Sequence, residues 1–193
     1  MAHARLVTDE PAPEPVPIIK RALVVGGGSA GLQTAKDLAS AGIEVTIAER
    51  NPWLGGRLCR IPRIFQSEGW PSVCDSACVG PVQAKGVVLA KGIRTLTQTE
   101  VVGAERSNGC FRVTLSSDPA FVDPDLCISC GECAKACPEE TSRRFDQGLS
   151  KRKAIDKEFE RALPDLYTIL PDACTKCSEC VLVCPTNAIH LDA

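Results

Sequence analysis

The chain has 193 residues, 44% of them apolar, so it is long enough for one large domain or two small ones with buried cores. A formal net charge of −2 and a pI of about 5.8 give no electrostatic reason to expect binding to nucleic acid or to an anionic membrane. No apolar run approaches the roughly 18 residues of a transmembrane helix, and the N-terminus lacks an export signal, so we expect a cytoplasmic protein.

Twelve cysteines are the most unusual feature of the composition. Their even number is compatible with disulfides, but thiols stay reduced in the cytoplasm, where clustered cysteines are more often metal ligands. We therefore expect metal ligation.

Residues 1–20 alternate proline with other residues, at Pro11, Pro13, Pro15 and Pro17. This spacing blocks a helix and favours an extended chain. We predict a Pro-rich, solvated N-terminal tail.

The next segment, residues 21–120, begins with the pattern of a β-α-β unit. The run RALVV predicts a buried strand, SAGLQTAKDLASAG has apolar residues at helical spacing, and IEVTIAER alternates as a second strand. A glycine fingerprint, Gly26-x-Gly28-x-x-Gly31, occupies the first turn. We predict a Rossmann-like α/β domain that binds a dinucleotide, with a structural relic of such a site as the alternative.

Each residue of the fingerprint has a physical role. Gly26 permits a tight turn, Gly28 lets the backbone approach a pyrophosphate, and Gly31 allows close packing of the helix on the strand. The helix N-terminus offers free amides to phosphates, and Glu49 ends the second strand, where a carboxylate can bond ribose hydroxyls. The candidate cofactor ligands of this unit are Gly26, Gly28, Ser29, Ala30, Gly31 and Glu49.

The segment ERNPWLGGRL resembles the extension that follows the second strand in FAD-dependent flavoproteins with two dinucleotide-binding units. The resemblance implies that the backbone of Gly55 and Gly56 lies near the cofactor. It also implies that Arg57 places positive charge near the phosphates or the flavin, with Arg50 as a further candidate ligand. FAD is therefore favoured over NAD.

The rest of the first segment predicts a helix from Pro81 to about Ala90 and then strands. Asn108-Gly109 is a strong turn signal between two alternating runs, so we predict an antiparallel hairpin. Such a hairpin suits the small antiparallel unit that caps a flavin fold. The remainder of that fold does not follow, so residues 21–120 are predicted to form an incomplete FAD-type domain.

Two cysteine runs, CISCGECAKACP and CTKCSECVLVCP, form an internal repeat in residues 121–193. Their spacing, with a proline after the fourth cysteine, is that of bacterial two-cluster ferredoxins, in which the fourth cysteine of each run ligates the other cluster. Zinc sites and disulfides are weaker alternatives, because neither needs the third cysteine or the exact repetition. We assign one [4Fe–4S] cluster to Cys127, Cys130, Cys133 and Cys184, and the second to Cys174, Cys177, Cys180 and Cys137.

The segments around the two runs complete the predicted α+β ferredoxin-like domain. AFVDPDL and NAIHLDA are expected to form its outer strands, with His190 as a surface residue. The long charged segment between the runs predicts a partly helical insertion. Its basic cluster of Lys151, Arg152 and Lys153 is interpreted either as a docking site for an acidic partner or a cofactor phosphate, or as a solvated surface.

The order of these motifs resembles the iron–sulfur flavoprotein component of heterodisulfide reductase, from about residue 21 to the end. The resemblance rests on the fingerprint, ERNPWLGGR, the hairpin and two ferredoxin runs separated by FDQGLSKRKAI and ALPDLYTI. In that family the ferredoxin unit is inserted into the flavin domain, and the chain then continues with the second half of that domain. This sequence stops after the ferredoxin unit. We therefore expect either a truncated chain or a partner chain that completes the flavin site and shares the FAD.

Four cysteines lie outside the two runs: Cys59, Cys74, Cys78 and Cys110. Cys74 and Cys78 match in place a cysteine-bearing loop of the family, whose members can hold an extra cluster near the flavin. The resemblance thus implies a possible third cluster held by Cys74, Cys78 and Cys59, with Cys110 or a partner residue as fourth ligand. Buried free thiols are the alternative.

The resemblance implies an electron-transfer iron–sulfur flavoprotein that is one component of a low-potential redox complex, and electron-bifurcating complexes are among its relatives. It would relay electrons between FAD and partner subunits through two clusters. No Ser/His/Asp set or carboxylate pair stands out, and we assign no catalytic residue. The alternative is a ferredoxin-type adaptor whose dinucleotide fold is only a docking scaffold. A standalone NAD(P)H reductase is disfavoured because no second nucleotide fingerprint exists.

Overall fold

The computed structural model describes residues 19–61, 63–64, 74–75, 79–107 and 109–192, with the backbone alone at residues 63, 64, 74, 75 and 107. The predicted N-terminal tail lies outside the described residues, apart from Ile19 and Lys20. Among the helices of the described ranges, none combines the length and the apolar character that crossing a membrane requires.

The first part of the chain is built around a parallel sheet. In chain order its elements are β1 (Arg21–Val25), α1 (Ser29–Ser40), β2 (Glu44–Ala48), β3 (Arg63–Ile64), β4 (Cys74–Asp75), α2 (Gly80–Val88), β5 (Ile93–Leu96), β6 (Thr99–Ser107) and β7 (Cys110–Ser117). Strands β1, β2 and β5 pair in parallel in that order, and β3 pairs with β4 in antiparallel orientation. The predicted Rossmann-like β-α-β unit is confirmed, as is the helix that follows Gly80.

The core of this part lies between the sheet and its two helices. Leu32 and Ala35 of α1 are fully buried against Val45 and Ile47 of β2, and Val87 brings α2 into the same cluster. Both helices therefore cover one face of the sheet, as expected when each connects two parallel strands.

The predicted antiparallel hairpin is present as β6 and β7. Its register runs from Thr99 opposite Ser117 to Ser107 opposite Cys110, with an irregularity between Val101 and Gly103. Gly109 in the turn has a φ of 78°, which favours glycine, while Asn108 lies outside the described residues.

The second part of the chain holds the two cysteine runs. Its elements are α3 (Glu132–Ala136), β8 (Glu140–Ser142), β9 (Lys151–Lys153), β10 (Ile155–Asp156), β11 (Thr168–Ile169) and α4 (Glu179–Leu182). The predicted outer strands pair, but only through an antiparallel bridge between Val122 and Ile189, flanked by backbone hydrogen bonds of 2.8 Å. A ferredoxin-like α+β unit is therefore formed, with very short outer strands. His190 is exposed, as predicted.

The prediction of a partly helical segment between the runs is wrong. Residues 139–170, called the insertion from here on, contain four short strands and turns: β8 pairs with β9, and β10 with β11. The charged residues that favoured a helix instead form ion pairs with each other across these strands. Pro164 also interrupts the second half of the segment that was predicted to be partly helical. Tertiary partners here outweigh local helix propensity.

The prediction that Lys151, Arg152 and Lys153 form one basic cluster on the surface of the insertion is also wrong. Arg152 points inward from β9 and only 6% of its side chain is exposed, while Lys153 pairs with Glu140 at 3.0 Å. Alternation along a strand sends neighbouring side chains to opposite faces, so three consecutive basic residues do not form one surface.

The two parts meet where the insertion packs on residues 53–60. The ring of Trp53 meets that of Phe159 edge-on at 6.0 Å between centroids, and the backbone amide of Leu54 donates to the Leu163 carbonyl at 2.7 Å. The Arg60 guanidinium lies 5.3 Å from the Trp53 ring centroid and 4.1 Å from that of Phe145. Aromatic and cation–π contacts therefore hold the insertion on the first part.

Glu158 is the centre of a buried ion cluster at this contact. Its side chain is 4% exposed and pairs with the guanidinium groups of Arg60, from the first part, and of Arg152. Arg143 lies 3.9 Å from the same carboxylate and pairs with Asp156 at 3.0 Å. Burial lowers the pKa of Arg60 and of Arg152, and the charge of Glu158 opposes that change. The carboxylates of Glu158 and Asp156 thus neutralise the charges of three guanidinium groups.

We expect Glu158→Gln to lower the free energy of unfolding by about 3 kcal/mol, because it leaves buried guanidinium groups without their counter-charge. The measurement is urea unfolding of the full chain under anaerobic conditions, with the midpoint and the slope compared to wild type. Glu160→Gln is the matched control, since Glu160 is exposed and two residues away. Equal midpoints for the two variants would contradict the role given to Glu158.

Candidate functional site

The first turn of the β-α-β unit has the geometry that its glycines predict. Gly26 has a φ of 97° and donates its amide to the Ala48 carbonyl at 2.8 Å, which ties the turn to the end of β2. A Cβ at Gly31 would lie 2.0 Å from the Gly26 carbonyl oxygen, so α1 approaches β1 more closely than any side chain permits. These two positions shape the turn.

The N-terminus of α1 is open toward the space in front of this turn. Gly28 is the N-cap residue, and no side chain caps the helix or places an acidic group in its first turn. A Cβ at Gly28 would meet nothing within 4 Å, and Ser29 and Ala30 are exposed. Free amides and the positive end of the helix dipole make this a favourable place for a phosphate.

Glu49 is buried behind the turn, with 5% of the residue exposed. One carboxylate oxygen accepts the Gly27 amide at 2.6 Å, and the other accepts the backbone and side-chain amides of Asn51 at 2.8 and 2.7 Å. The carboxylate is therefore held in place at the end of β2, and the oxygen that accepts from Gly27 retains acceptor capacity for a hydroxyl. Gly27 and Asn51 were not singled out by the sequence, although Asn two residues after an acidic strand end is a recognisable local hydrogen-bonding signal.

The Leu54-Gly55-Gly56 turn packs directly on the glycine turn. Gly55 forms a parallel bridge with Gly28 and donates its amide to the Gly27 carbonyl at 2.7 Å. A Cβ at Gly56 would lie 3.1 Å from the Gly28 Cα, and both Gly55 and Gly56 have positive φ. Arg50 and Arg57 are exposed beside this pair of turns.

The two turns together form a backbone-lined cradle, which we call the glycine cradle (residues 26–31 and 54–57). It offers open space at Gly28, free helix amides, a fixed carboxylate and two exposed cations. This chemistry fits the ADP end of a dinucleotide.

The eight cysteines of the repeat converge on two separate cavities. The first is lined by Cys127, Cys130, Cys133 and Cys184, and the second by Cys137, Cys174, Cys177 and Cys180. Each cavity thus contains three cysteines of one run and the fourth of the other.

Backbone amides point at the sulfurs of both cavities. The Ala188 amide donates to Cys184 Sγ at 3.3 Å, and the Lys176 amide donates to Cys174 Sγ at 3.4 Å. Burial raises the pKa of Cys184, but hydrogen bonds from the Ala188 and Thr186 amides outweigh it and lower the pKa overall. Such donors stabilise thiolates and tune iron–sulfur centres.

The innermost thiols are electrostatically crowded. Burial, and then the negative charges of Cys127, Cys130 and Cys180, raise the pKa of Cys133 to about 12. Burial and the charges of Cys174, Cys137 and Cys177 likewise raise the pKa of Cys180. Without a cation these thiols therefore hold their protons at neutral pH, and binding of iron has to displace them.

The remaining cysteines are not brought together within the described residues. Cys59 Sγ fits between two glycines, since a Cβ at Gly55 or Gly80 would lie 2.0 or 2.7 Å from it, and burial raises the pKa of Cys59. Cys110 begins β7 and is exposed. Cys78 and the side chain of Cys74 lie outside the described residues, so the third cluster stays a prediction.

Two residues of the insertion that the sequence did not indicate, Tyr167 and Lys157, also contact the first cysteine loop. Tyr167 lines the cavity, and the Lys157 ammonium donates to Ser129 Oγ at 3.1 Å in the loop between Cys127 and Cys130. Both lie far along the chain from the run that they contact. No short-range sequence pattern therefore links Tyr167 or Lys157 to the first cysteine run.

Two protein families match the chain. Residues 20–125 match the family described as pyridine nucleotide-disulphide oxidoreductase, and residues 126–189 match the 4Fe-4S dicluster domain. Among solved structures, thioredoxin reductase of T. acidophilum is 21% identical with a TM-score of 0.43, over 50% of this chain and 30% of that one.

Curated relatives match across both parts. An iron–sulfur subunit of the CoB–CoM heterodisulfide reductase of Methanopyrus kandleri is 40% identical over 80% of this chain, and 23% of its own length is covered. The corresponding subunit of the H(2):CoB-CoM heterodisulfide,ferredoxin reductase of Methanothermobacter thermautotrophicus is 34% identical over 88% of this chain and 25% of its own. The chain thus spans about a quarter of the length of these relatives.

The glycine cradle and the two cysteine-lined cavities each fall within the matching family segment. FAD and [4Fe–4S] clusters are the cofactors of these two kinds of domain, and the residues present fit both groups. The chain therefore belongs to the pyridine nucleotide-disulphide oxidoreductase family and carries a 4Fe–4S dicluster domain, and over most of its length it is similar to the iron–sulfur subunit of heterodisulfide reductases.

Proposed function

We propose that this chain relays electrons between FAD and partner redox subunits within a cytoplasmic, low-potential complex similar to heterodisulfide reductase. The observation that carries the proposal is that one chain contains two cavities, each lined by four cysteines, and a glycine cradle that the insertion contacts. Bound there, FAD exchanges electrons in pairs or singly and the clusters exchange them singly, which is the chemistry of an electron relay.

In this proposal each group of residues has one role. Residues 21–120 form the FAD-type domain, in which the α1 amides and Gly28 receive the pyrophosphate, and Glu49 binds the ribose. Gly55, Gly56, Arg50 and Arg57 border the cofactor. Residues 121–193 form the ferredoxin-like domain, in which the two crossed sets of four cysteines each hold one [4Fe–4S] cluster.

The two domains are held in contact by the insertion. Leu163 is hydrogen-bonded to Leu54 of the cradle, while Lys157 reaches the loop that borders the first cavity. Contacts on both sides of the insertion restrict changes in the distance between the proposed redox centres, which supports a relay over a flexible adaptor.

The flavin site needs further polypeptide. Among the described strands β1 pairs with β2 alone, and Val25 at its end is 68% exposed. We propose that residues outside this sequence, in a partner chain or the same one, pair with this edge and enclose the flavin ring.

The adaptor alternative is favoured by one observation. The Glu49 carboxylate already accepts three amide hydrogen bonds within the protein, as it would in a purely structural turn. Flavin content of the assembled complex separates the two functions.

Gly28→Val is expected to weaken FAD binding at least about tenfold without unfolding the chain. The new side chain enters space that is open in the protein but faces the proposed pyrophosphate position, and the backbone there is unstrained. Flavin absorbance of the purified complex measures the loss.

Gly103→Ala in the hairpin is the matched control, because a Cβ there makes only ordinary contacts of 3.8 and 3.9 Å. Unchanged flavin content in Gly28→Val, with an unchanged melting temperature, would refute FAD binding at the cradle.

Iron analysis of the anaerobically prepared protein is expected to give about eight irons per chain, four for each cluster. Cys133→Ser should lose about four of them, because it removes one ligand of the first set. Cys110→Ser, at an exposed thiol, should lose none.

A content of about twelve irons would support a third cluster, with Cys59, Cys74 and Cys78 as its proposed ligands. Zinc in place of iron would contradict the assignment of both cavities.

A further inference from the structure

The second turn of the glycine cradle, Leu54-Gly55-Gly56, lies between the first turn and the insertion. Its two consecutive glycines, both at positive φ, give it little rigidity of its own, because glycine restricts the backbone least. Trp53, Leu54 and Gly55 are nevertheless buried. The conformation of this turn therefore depends on the groups that pack against it from each side.

On one side the turn contacts residues proposed to hold the ADP end of FAD. The Leu54 side chain packs so closely on the first turn that a Cβ at Gly27 would lie 2.6 Å from Leu54 Cδ2. The Gly27 carbonyl accepts the Gly55 amide at 2.7 Å, and the Gly27 amide donates to the Glu49 carboxylate at 2.6 Å. A shift of Leu54 would therefore move Gly27 and, with it, the carboxylate proposed to bind the ribose.

On the other side the turn contacts the insertion, which belongs to the cysteine-bearing part of the chain. The Leu163 carbonyl accepts the Leu54 amide at 2.7 Å, and the Leu163 side chain packs against the core cluster that contains Leu54. The ring of Phe159 meets the ring of Trp53, the residue before Leu54, edge-on. The insertion thus holds the turn through one backbone hydrogen bond, one aromatic contact and one side chain in the core of the first part.

We propose that Leu163 and Phe159 are positioning residues of the flavin site. They fix Leu54, and through Gly27 they fix Glu49, in the arrangement that receives the ADP end of FAD. The inference rests on the proposed function, because it requires FAD to bind at the glycine cradle. Residues that bind a ligand need support from the residues packed behind them, so a contact from the insertion can set the affinity for FAD without touching it.

The test titrates FAD into the iron-loaded, assembled complex after its flavin has been removed, with quenching of flavin fluorescence as the signal. Leu163→Ala is expected to raise the dissociation constant of FAD at least about fivefold, because the shortened side chain releases the turn. Phe159→Ala, which removes the ring beside Trp53, should act in the same direction. The iron content of both variants should equal that of wild type, since neither residue lines a cysteine cavity.

Two variants serve as matched controls. Leu163→Met approximately conserves the volume and the apolar character of the side chain, so it should bind FAD as wild type does. Leu149→Ala makes the same chemical change as Leu163→Ala, but at a leucine of the insertion that is 91% exposed. It should leave the dissociation constant of FAD unchanged.

A double-mutant cycle separates positioning from a general loss of stability. If Leu163 acts through the Glu49 carboxylate, Leu163→Ala weakens FAD binding less in a Glu49→Gln background than in wild type. ADP, which would occupy the cradle without a flavin, should lose affinity in Leu163→Ala by the same factor as FAD. Equal losses of FAD affinity in the two backgrounds would indicate a merely structural role and overturn the inference.

The inference is also overturned if wild type binds FAD while Leu163→Ala and Phe159→Ala, with full iron content, bind it equally well. Should Leu163→Ala fail to fold, the comparison rests on Phe159→Ala, at a residue that is only partly buried. Failure of the proposed function appears separately and earlier, as a wild-type complex that binds no FAD, and it removes the basis of the inference as well.

Discussion

The buried carboxylate of Glu158 is the interaction on which the arrangement of the two domains depends. It neutralises guanidinium groups of the insertion and of Arg60, and Arg60 in turn lies over Trp53 and Phe145. Buried charges are tolerated only when paired, so the insertion folds in this position or leaves several charges uncompensated. Aromatic packing and the Leu54–Leu163 hydrogen bond then join the glycine cradle to the insertion.

The insertion connects the ferredoxin-like unit to the first part of the chain. A two-cluster ferredoxin unit needs only its two runs, whereas the proposed relay also requires that the unit be held at a fixed distance from the flavin. Residues 139–170 contact the cradle on one side and the loop of the first cavity on the other. The same segment contacts the two cysteine loops differently, because Tyr167 packs against Gly131 of the first loop, whereas the corresponding Ser178 of the second loop is exposed.

Local sequence patterns were sufficient to predict much of the fold. The β-α-β unit follows from hydrophobic periodicity and the glycine turn, and the hairpin from a strong turn signal. The insertion was mispredicted because its charged residues match a helical surface when considered alone. Arg152 was assigned to the surface for the same reason, although its partners, Asp156 and Glu158, become visible only when the strands pair.

The sequence by itself determined the two kinds of cofactor chemistry, because glycine turns and cysteine spacing are local requirements of a phosphate site and of a cubane cluster. Tertiary structure decided what those motifs could not specify: the three amide partners of Glu49, the contact of the cradle with the insertion, and the contact of Tyr167 with Gly131. These features join residues distant along the chain. They arise from burial and charge pairing, which no short-range pattern encodes.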